Sequence, residues 1–257
     1  MAPLAHARIV VWEGGSLWVV DSTRLEQRER RGTDFHAHHA VQVVLALQGK
    51  FRLSTSENSV AGGVAAVAPD TPHIFEADGT HALLFVEPES LPGRAISASL
   101  FAHGGLSSPS ETMIGDFASR IATAYQASSE AREQLTRVGR ELVERMAATG
   151  RPRVFDPRVR RVVAWAAQRG DQPVSLADAA DVAGLSAGRL RHLFVQETGL
   201  SFKTYLLWLR LTRAVTLMAD GRSLTDAAHE AGFSDSAHFS RTFRRMFGVA
   251  PVSLKIT

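Results

Sequence analysis

Ser175-Leu176-Ala177-Asp178-Ala179-Ala180 leads through to Ala183-Gly184-Leu185-Ser186. At an offset of 48, Ser223-Leu224-Thr225-Asp226-Ala227-Ala228 leads through to Ala231-Gly232-Phe233-Ser234. Beyond one inserted residue the match continues, with Leu190, Phe194 and Gly199 answered by Phe239, Phe243 and Gly248. So many positions repeated in one order mean two copies of a single structural unit. Ser175-x-x-Asp178 and Ser223-x-x-Asp226 have the spacing of a capping box with a shortened acid. The alanines after each cap give a helix one small face that a second helix can approach closely. Gly184 and Gly232 stand where that helix must stop in a left-handed conformation. Ser186 and Ser234 can cap the next helix. Helix, short glycine turn and helix make a helix-turn-helix, present twice.

Periodicity sorts the second helix of each copy into two faces. Leu190, Leu193 and Phe194 form the inner stripe of the first, leaving Ala187, Gly188, Arg191, His192 and Val195 outside. In the second, Phe239, Phe243 and Met246 or Phe247 point inward, leaving Ser236, Ala237, Ser240, Arg241 and Arg244 outside. An exposed arginine near the start of such a helix can bond bidentately to guanine N7 and O6. Arg244 and Arg245, further along, suit phosphates better. The segment Ser201 to Asp220 predicts a connecting helix ~30 Å long. Major-groove faces recur every ~34 Å, so one chain can place both copies in successive grooves.

Charge points the same way. The net charge of +3 over 257 residues is undistinguished, but its distribution is not. Residues 1–150 hold 13 basic and 17 acidic side chains, a net of −4, whereas residues 151–257 hold 16 and 9, a net of +7. A basic module suits a polyanionic partner, and its base is overwhelmingly Arg, which forks onto phosphate and guanine. There is no cysteine, which excludes disulfides, thiolate catalysis and Cys-ligated zinc. With no long apolar run and no secretory leader pattern, the expected setting is the cytoplasm, away from membranes.

The stretch Gly232-Phe233-Ser234-Asp235-Ser236-Ala237-His238-Phe239-Ser240-Arg241-Thr242-Phe243-Arg244-Arg245-Met246-Phe247-Gly248-Val249-Ala250-Pro251 resembles the signature of the AraC/XylS family of bacterial transcription regulators. The resemblance covers roughly Pro157 to Lys255. It implies base-reading positions at Gly188, Arg191 and His192 in the first helix and at Ser236, Ala237, Ser240 and Arg241 in the second. Arg189 and Arg244 complete the expected DNA-binding set. Two departures stand out. Leu254 and Lys255 replace the family's usual aromatic residue and Arg, and Gly188 offers no side chain.

The front half reads as β: Val41–Leu47, closed by Gly49, then Phe51–Thr55, Val64–Ala68, Ile74–Phe75 and Ala82–Val86, separated by Gly, Pro and Asp turns. Gly32-Thr33-Asp34-Phe35-His36-Ala37-His38-His39, followed by Gly49, Gly63, Pro69 and His73, resembles the two motifs of the cupin barrel. On a strand His36 and His38 point the same way, and His73 can join them. His36, His38, Gln42 and His73 are therefore the expected effector-binding residues. A three-imidazole divalent metal site and a purely structural cluster stay open beside that reading. Gln42 stands where enzymatic cupins usually carry a Glu ligand, and a neutral amide ligates less well. His39 is expected on the opposite, solvent face.

From about Ser110, Met113, Phe117, Ile121 and Ala124, then Leu135, Val138, Leu142 and Met146, recur at helical steps. This helical pair either packs on its own β-domain or makes a homodimer. The expected class is α+β: a cupin-like β-barrel at 1–108, a helical pair at 109–149, a linker at 150–156 and an all-α double helix-turn-helix domain at 157–257. The expected function is sequence-specific, effector-controlled DNA binding, with promoter DNA, a small molecule and RNA polymerase as partners and with no catalytic residue or resident cofactor. The competing reading is a metal-dependent cupin enzyme with a helical appendage.

Overall fold

A computed structural model describes residues 5–23, 32–127, 130–170 and 172–256. These fall into two compact units. One runs as far as Pro152 and takes in the chain again from Phe243 onward, and the other is Arg153–Thr242.

The first unit is built on one sheet. β1 (Ala5–Trp12) and β2 (Gly15–Asp21) form a hairpin, followed by β3 (Val41–Ser54), β4 (Ser59–Gly62), β5 (Val64–Val67) and β6 (Ile74–Val86). After α1 (Leu91–Leu100) comes the short β7 (Leu106–Ser107). The spatial order is β7-β5-β3-β6-β2-β1, with β4 paired to β3. β3 and β6 run antiparallel from Val41↔Val86 to Ser54↔Ile74. The sequence reading divides each of these into two strands. In the structure Gly49 and Gly79 face each other inside one continuous ladder, beside a bulge at Ala46–Gln48, and a bulge bends a strand without ending it.

Strand alternation gives the sheet two faces. Leu17, Val19, Val41, Val43, Leu45, Leu84 and Val86 point to one, which the helices α2 (Glu111–Ile114), α3 (Phe117–Gln126) and α4 (Ala131–Ala147) cover. Gly115, with φ +56, breaks what periodicity reads as one helix from Met113 to Ala124. Ile114, Phe117, Ile121, Leu135, Leu142 and Met146 are buried in this core. Each such side chain contributes about 1.5–3 kcal/mol on burial. The apolar stripe of the helical pair is thus spent on its own sheet, and α4 turns Arg132, Glu133, Arg137, Arg140 and Glu144 to solvent.

The second unit contains α5 (Pro157–Ala167), α6 (Leu176–Ala183), α7 (Ala187–Thr198), α8 (Phe202–Ala219), α9 (Leu224–Glu230) and the start of α10 (Ser236–Phe247). The capping box at Ser175 and Asp178 forms reciprocally, and Gly184 ends α6 at φ +65. Gly232 repeats that turn at φ +83. Ser186 caps α7, as expected. Ser234 does not cap α10. The residue inserted into the second copy is used instead, with the His238 backbone N–H donating to Asp235 Oδ1 at 2.6 Å. Phe155, Val159, Val162, Leu190, Phe194, Phe202 and Tyr205 close over the alanines of α6.

The sequence reading assigns 157–257 to one domain, and the structure corrects this. Phe243 and Phe247 lie on Trp18 of β2, with ring centroids 6.4 and 4.9 Å away. After a turn at Pro251–Ser253, β8 (Leu254–Ile256) pairs in parallel with β1, from Ala5↔Leu254 to Ala7↔Ile256. Aromatic burial and a strand ladder tie this tail to the sheet. Leu254 and Lys255, the departures from the family pattern, are ladder residues.

Candidate functional site

The helix-turn-helix geometry decides which side chains can reach a ligand. On α7, Gly188, Arg189, Arg191 and His192 are exposed together with Val195, while Leu190 and Phe194 are fully buried. On α10, Ala237 and Arg241 are exposed and Ser236 and Ser240 half-buried. The Ser240 hydroxyl donates to the Ser236 carbonyl at 2.8 Å, so its proton is used within the helix. Arg244 is exposed, yet its Nε donates to Asp34 Oδ2 at 2.8 Å and its terminal nitrogen lies 2.8 Å from the same oxygen. Arg245 is exposed. Both Met246 and Phe247 face inward.

The other face of the sheet walls a cavity of about 130 Å³. Trp18, Phe75, Leu83 and Phe85 are among its apolar lining residues, and His36, Gln42 and His81 supply polar groups. The tail contributes Phe247, Val249, Ser253 and Leu254. Drug-sized ligands occupy ~300–1,000 Å³, so this space suits a small, largely apolar molecule with one or two polar groups.

His36 and Gln42 are on the wall, whereas His38 and His73 stand behind it. The expected strand through His36 and His38 is absent: this stretch is irregular, and His36 pairs only with His73 in an isolated bridge. The three rings nevertheless converge, with the His36–His73 centroids 4.2 Å apart and His38–His73 5.0 Å. His36 Nδ1–H donates to the Asp34 carbonyl and His73 Nδ1–H to the Thr71 carbonyl, each at 2.8 Å. His38 Nε2–H donates to Gln42 Oε1 at 2.6 Å. Burial lowers the pKa of all three rings, to about 4 for His73 and well below the ordinary value for His38, and their mutual repulsion adds to this for His38 and His73. Burial thus favours the neutral form of each ring.

His39 is buried, at 3% exposure, not on a solvent face. Burial alone would lower its pKa. Asp70 Oδ2 on Nδ1 and Glu89 Oε1 on Nε2, each at 2.7 Å, overrule that and raise it to about 9. An imidazolium flanked by two carboxylates packs the loop onto the unit. The sequence reading gives His81 and the tail no part in this site, though both line the cavity. His81 sits in β6 opposite Val20 of β2, a placement its one-residue context does not signal.

Residues 179–255 match a family model described as a helix-turn-helix domain. The HTH-type transcriptional activator RhaS of Enterobacter sp. (strain 638) is 39% identical over 101 residues, which cover 39% of this chain and 36% of that protein. RhaS of Citrobacter koseri is 37% identical over a stretch of the same length. The matched stretch spans about a third of the length of these curated relatives. ToxT from Vibrio cholerae O395 superposes with a TM-score of 0.60 over 94% of this chain and 96% of its own, at 12% identity. ToxT of strain SCE256, solved with an unsaturated fatty acid bound, gives 0.57 over 93% of each chain at 14% identity. At such identities the likeness is one of fold, and it extends over the β unit as well as the helical one.

Proposed function

We propose that this chain, whose C-terminal repeat is an AraC/XylS-type helix-turn-helix domain, is a transcription regulator that reads promoter DNA and answers to a small molecule. The observation that carries this reading is the duplicated, capped helix-turn-helix. Its second helices expose Arg189, Arg191 and His192 in one copy and Arg241 in the other, within the residues that match the helix-turn-helix model. The RhaS relatives are named activators, and activation through RNA polymerase in the cytoplasm is the corresponding reading here. Among the described residues no helix is long and apolar enough to cross a membrane. A cupin enzyme is disfavoured because Gln42 stands where a carboxylate ligand is usual and its oxygen is occupied by His38.

The effector belongs in the cavity of the β unit. ToxT has been solved with a fatty acid bound; the smaller space here favours a more compact molecule. Such a ligand changes DNA binding only if it prefers one conformation over another. Phe247 lines the cavity and ends α10, so an occupant that moves its ring acts on the helix that bears Arg241.

In vitro selection with the full-length chain tests the reading: it should recover two sequence blocks about one helical turn apart. Arg241→Ala should cost ~1–3 kcal/mol and relax preference at one position, whereas Arg245→Ala should weaken all sequences alike. No enriched motif, or equal losses on selected and scrambled sites for Arg241→Ala, would refute it.

A further inference from the structure

Alternation along β6 turns Phe75, Ala77, His81, Leu83 and Phe85 to the cavity, while Ala82, Leu84 and Val86 face the helices. His81 is the polar exception on that face of the strand, and it is buried at 2% exposure. Its Nε2 has no hydrogen-bond partner among the described residues. The ring's bond to the Lys50 backbone therefore falls to Nδ1. A carbonyl only accepts, so Nδ1 carries the proton. Burial favours the neutral ring, which has one N–H only. Nε2 is left as a buried lone pair. Phe51 and Phe75 pack edge-on to the ring, with centroids 5.8 and 5.9 Å away. Neither supplies a further polar partner for a water at Nε2, and a buried water needs two to four.

The rest of the wall narrows what can sit there. His36 gives its Nδ1–H to the Asp34 carbonyl, which leaves its Nε2 a second lone pair. The Gln42 amide keeps its N–H groups, since its oxygen accepts from His38. Gln42 lies opposite Phe85, however, and so four residues along the ladder from His81, or ~13 Å. No Lys or Arg is among the described residues that line the space. A carboxylate at His81 would meet a lone pair with no cation to balance it, and a charge buried without a partner costs far more than a neutral hydroxyl. Size points to one ring: an apolar cavity of ~150 Å³ takes benzene, and the space here is about 130 Å³ with Trp18, Phe75, Phe85 and Phe247 as aromatic walls. We propose that the cavity takes an uncharged single-ring hydroxyl compound of the phenol class, whose O–H donates to His81 Nε2. The inference rests on the reading of this cavity as the effector's place and adds the effector's chemistry.

Calorimetric titration of the full-length chain with phenol, toluene and benzoate is the test. One phenol per chain is expected, with benzoate at least about 10-fold weaker. Toluene keeps the ring and lacks the donor, so the ratio of phenol to toluene affinity isolates the hydrogen bond. His81→Phe should lower that ratio about 10-fold. Wild-type histidine-ring NMR gives a readout that does not depend on a variant folding: the His81 Nε2 resonance should shift with phenol, and the ring of the exposed His103 should not. No saturable phenol binding, benzoate held as tightly as phenol, an unchanged ratio in His81→Phe, or an unmoved His81 resonance would overturn the ligand class. Binding to the selected DNA is measured in parallel, with and without phenol. A chain that selects its DNA but takes no phenol overturns the ligand class alone. Phenol that fills the cavity without changing DNA affinity overturns the effector reading alone.

Discussion

Gly248→Ala probes how the tail is held to the sheet. Gly248 has φ +70, a conformation that costs an L-residue about 1–2 kcal/mol. An added Cβ would lie 2.6 Å from His36 Nδ1, 2.6 Å from Thr33 Cβ and 2.7 Å from the Asp34 carbonyl oxygen. None of these can yield easily, because the His36 ring is tied to that same carbonyl. Overpacking of this kind costs a further ~1–3 kcal/mol, so the sum is about 2–5 kcal/mol. The helix-covered core includes no residue of the tail, so the strain should release the tail before it unfolds the sheet. At ~1.4 kcal/mol per tenfold, amide exchange in Leu254–Ile256 and its partners in β1 should accelerate from roughly 30-fold to several thousand-fold, with β3 and β6 little changed. Gly221→Ala isolates the conformational cost, since Gly221 has φ +86 but nothing within 4 Å of an added Cβ. Wild-type exchange in the tail of Gly248→Ala, or equal acceleration throughout the sheet, would show that the Gly248 contact does not hold the tail.

Two further outcomes follow from local chemistry. Burial, with Glu89 and Glu13 nearby, raises the Glu87 pKa from 4.5 to about 7, so the folded chain keeps a proton that the unfolded chain has lost between those values. Stability should therefore fall as pH rises from 4.5 to 7, by about 2–3 kcal/mol allowing for partial exposure. Denaturation of Glu87→Gln at pH 5 to 8 should show a flattened slope and greater stability than wild type at pH 8, and an unchanged slope would refute the assignment. Ser175→Ala removes the cap that accepts the Asp178 N–H at 3.2 Å. It should cost about 1 kcal/mol, read as a lower melting temperature of the helical unit; no change would mean that solvent replaces the cap fully.

How much was legible in the sequence varied with the range of the interaction that decides each feature. Caps and turns at Ser175, Ser186, Gly184 and Gly232 depend on neighbours within a few residues, and they occur where the spacing puts them. The buried positions Leu190, Phe194, Phe239 and Phe243 follow from helical period alone. The cap at Asp235 depends on where the inserted residue falls in space, which the repeat alignment leaves open. Gly49 reads as a strand end because a local pattern does not reveal that Gly79 faces it across the ladder. His39 looks like a solvent residue until Asp70 and Glu89, far along the chain, close on its two nitrogens.

The sequence by itself determined the duplicated helix-turn-helix, its outward arginines and the concentration of positive charge behind residue 150, because these are periodic or additive properties of the chain. Only the tertiary structure decided that His36, His38 and His73 converge without lying on a common strand. It alone assigned the apolar stripes of α3 and α4 to their own sheet, and joined the last residues of the helical repeat to the β unit through Trp18 and β1. Each of these rests on contacts between residues remote in sequence, where packing and hydrogen-bond satisfaction, not local preference, choose the partner.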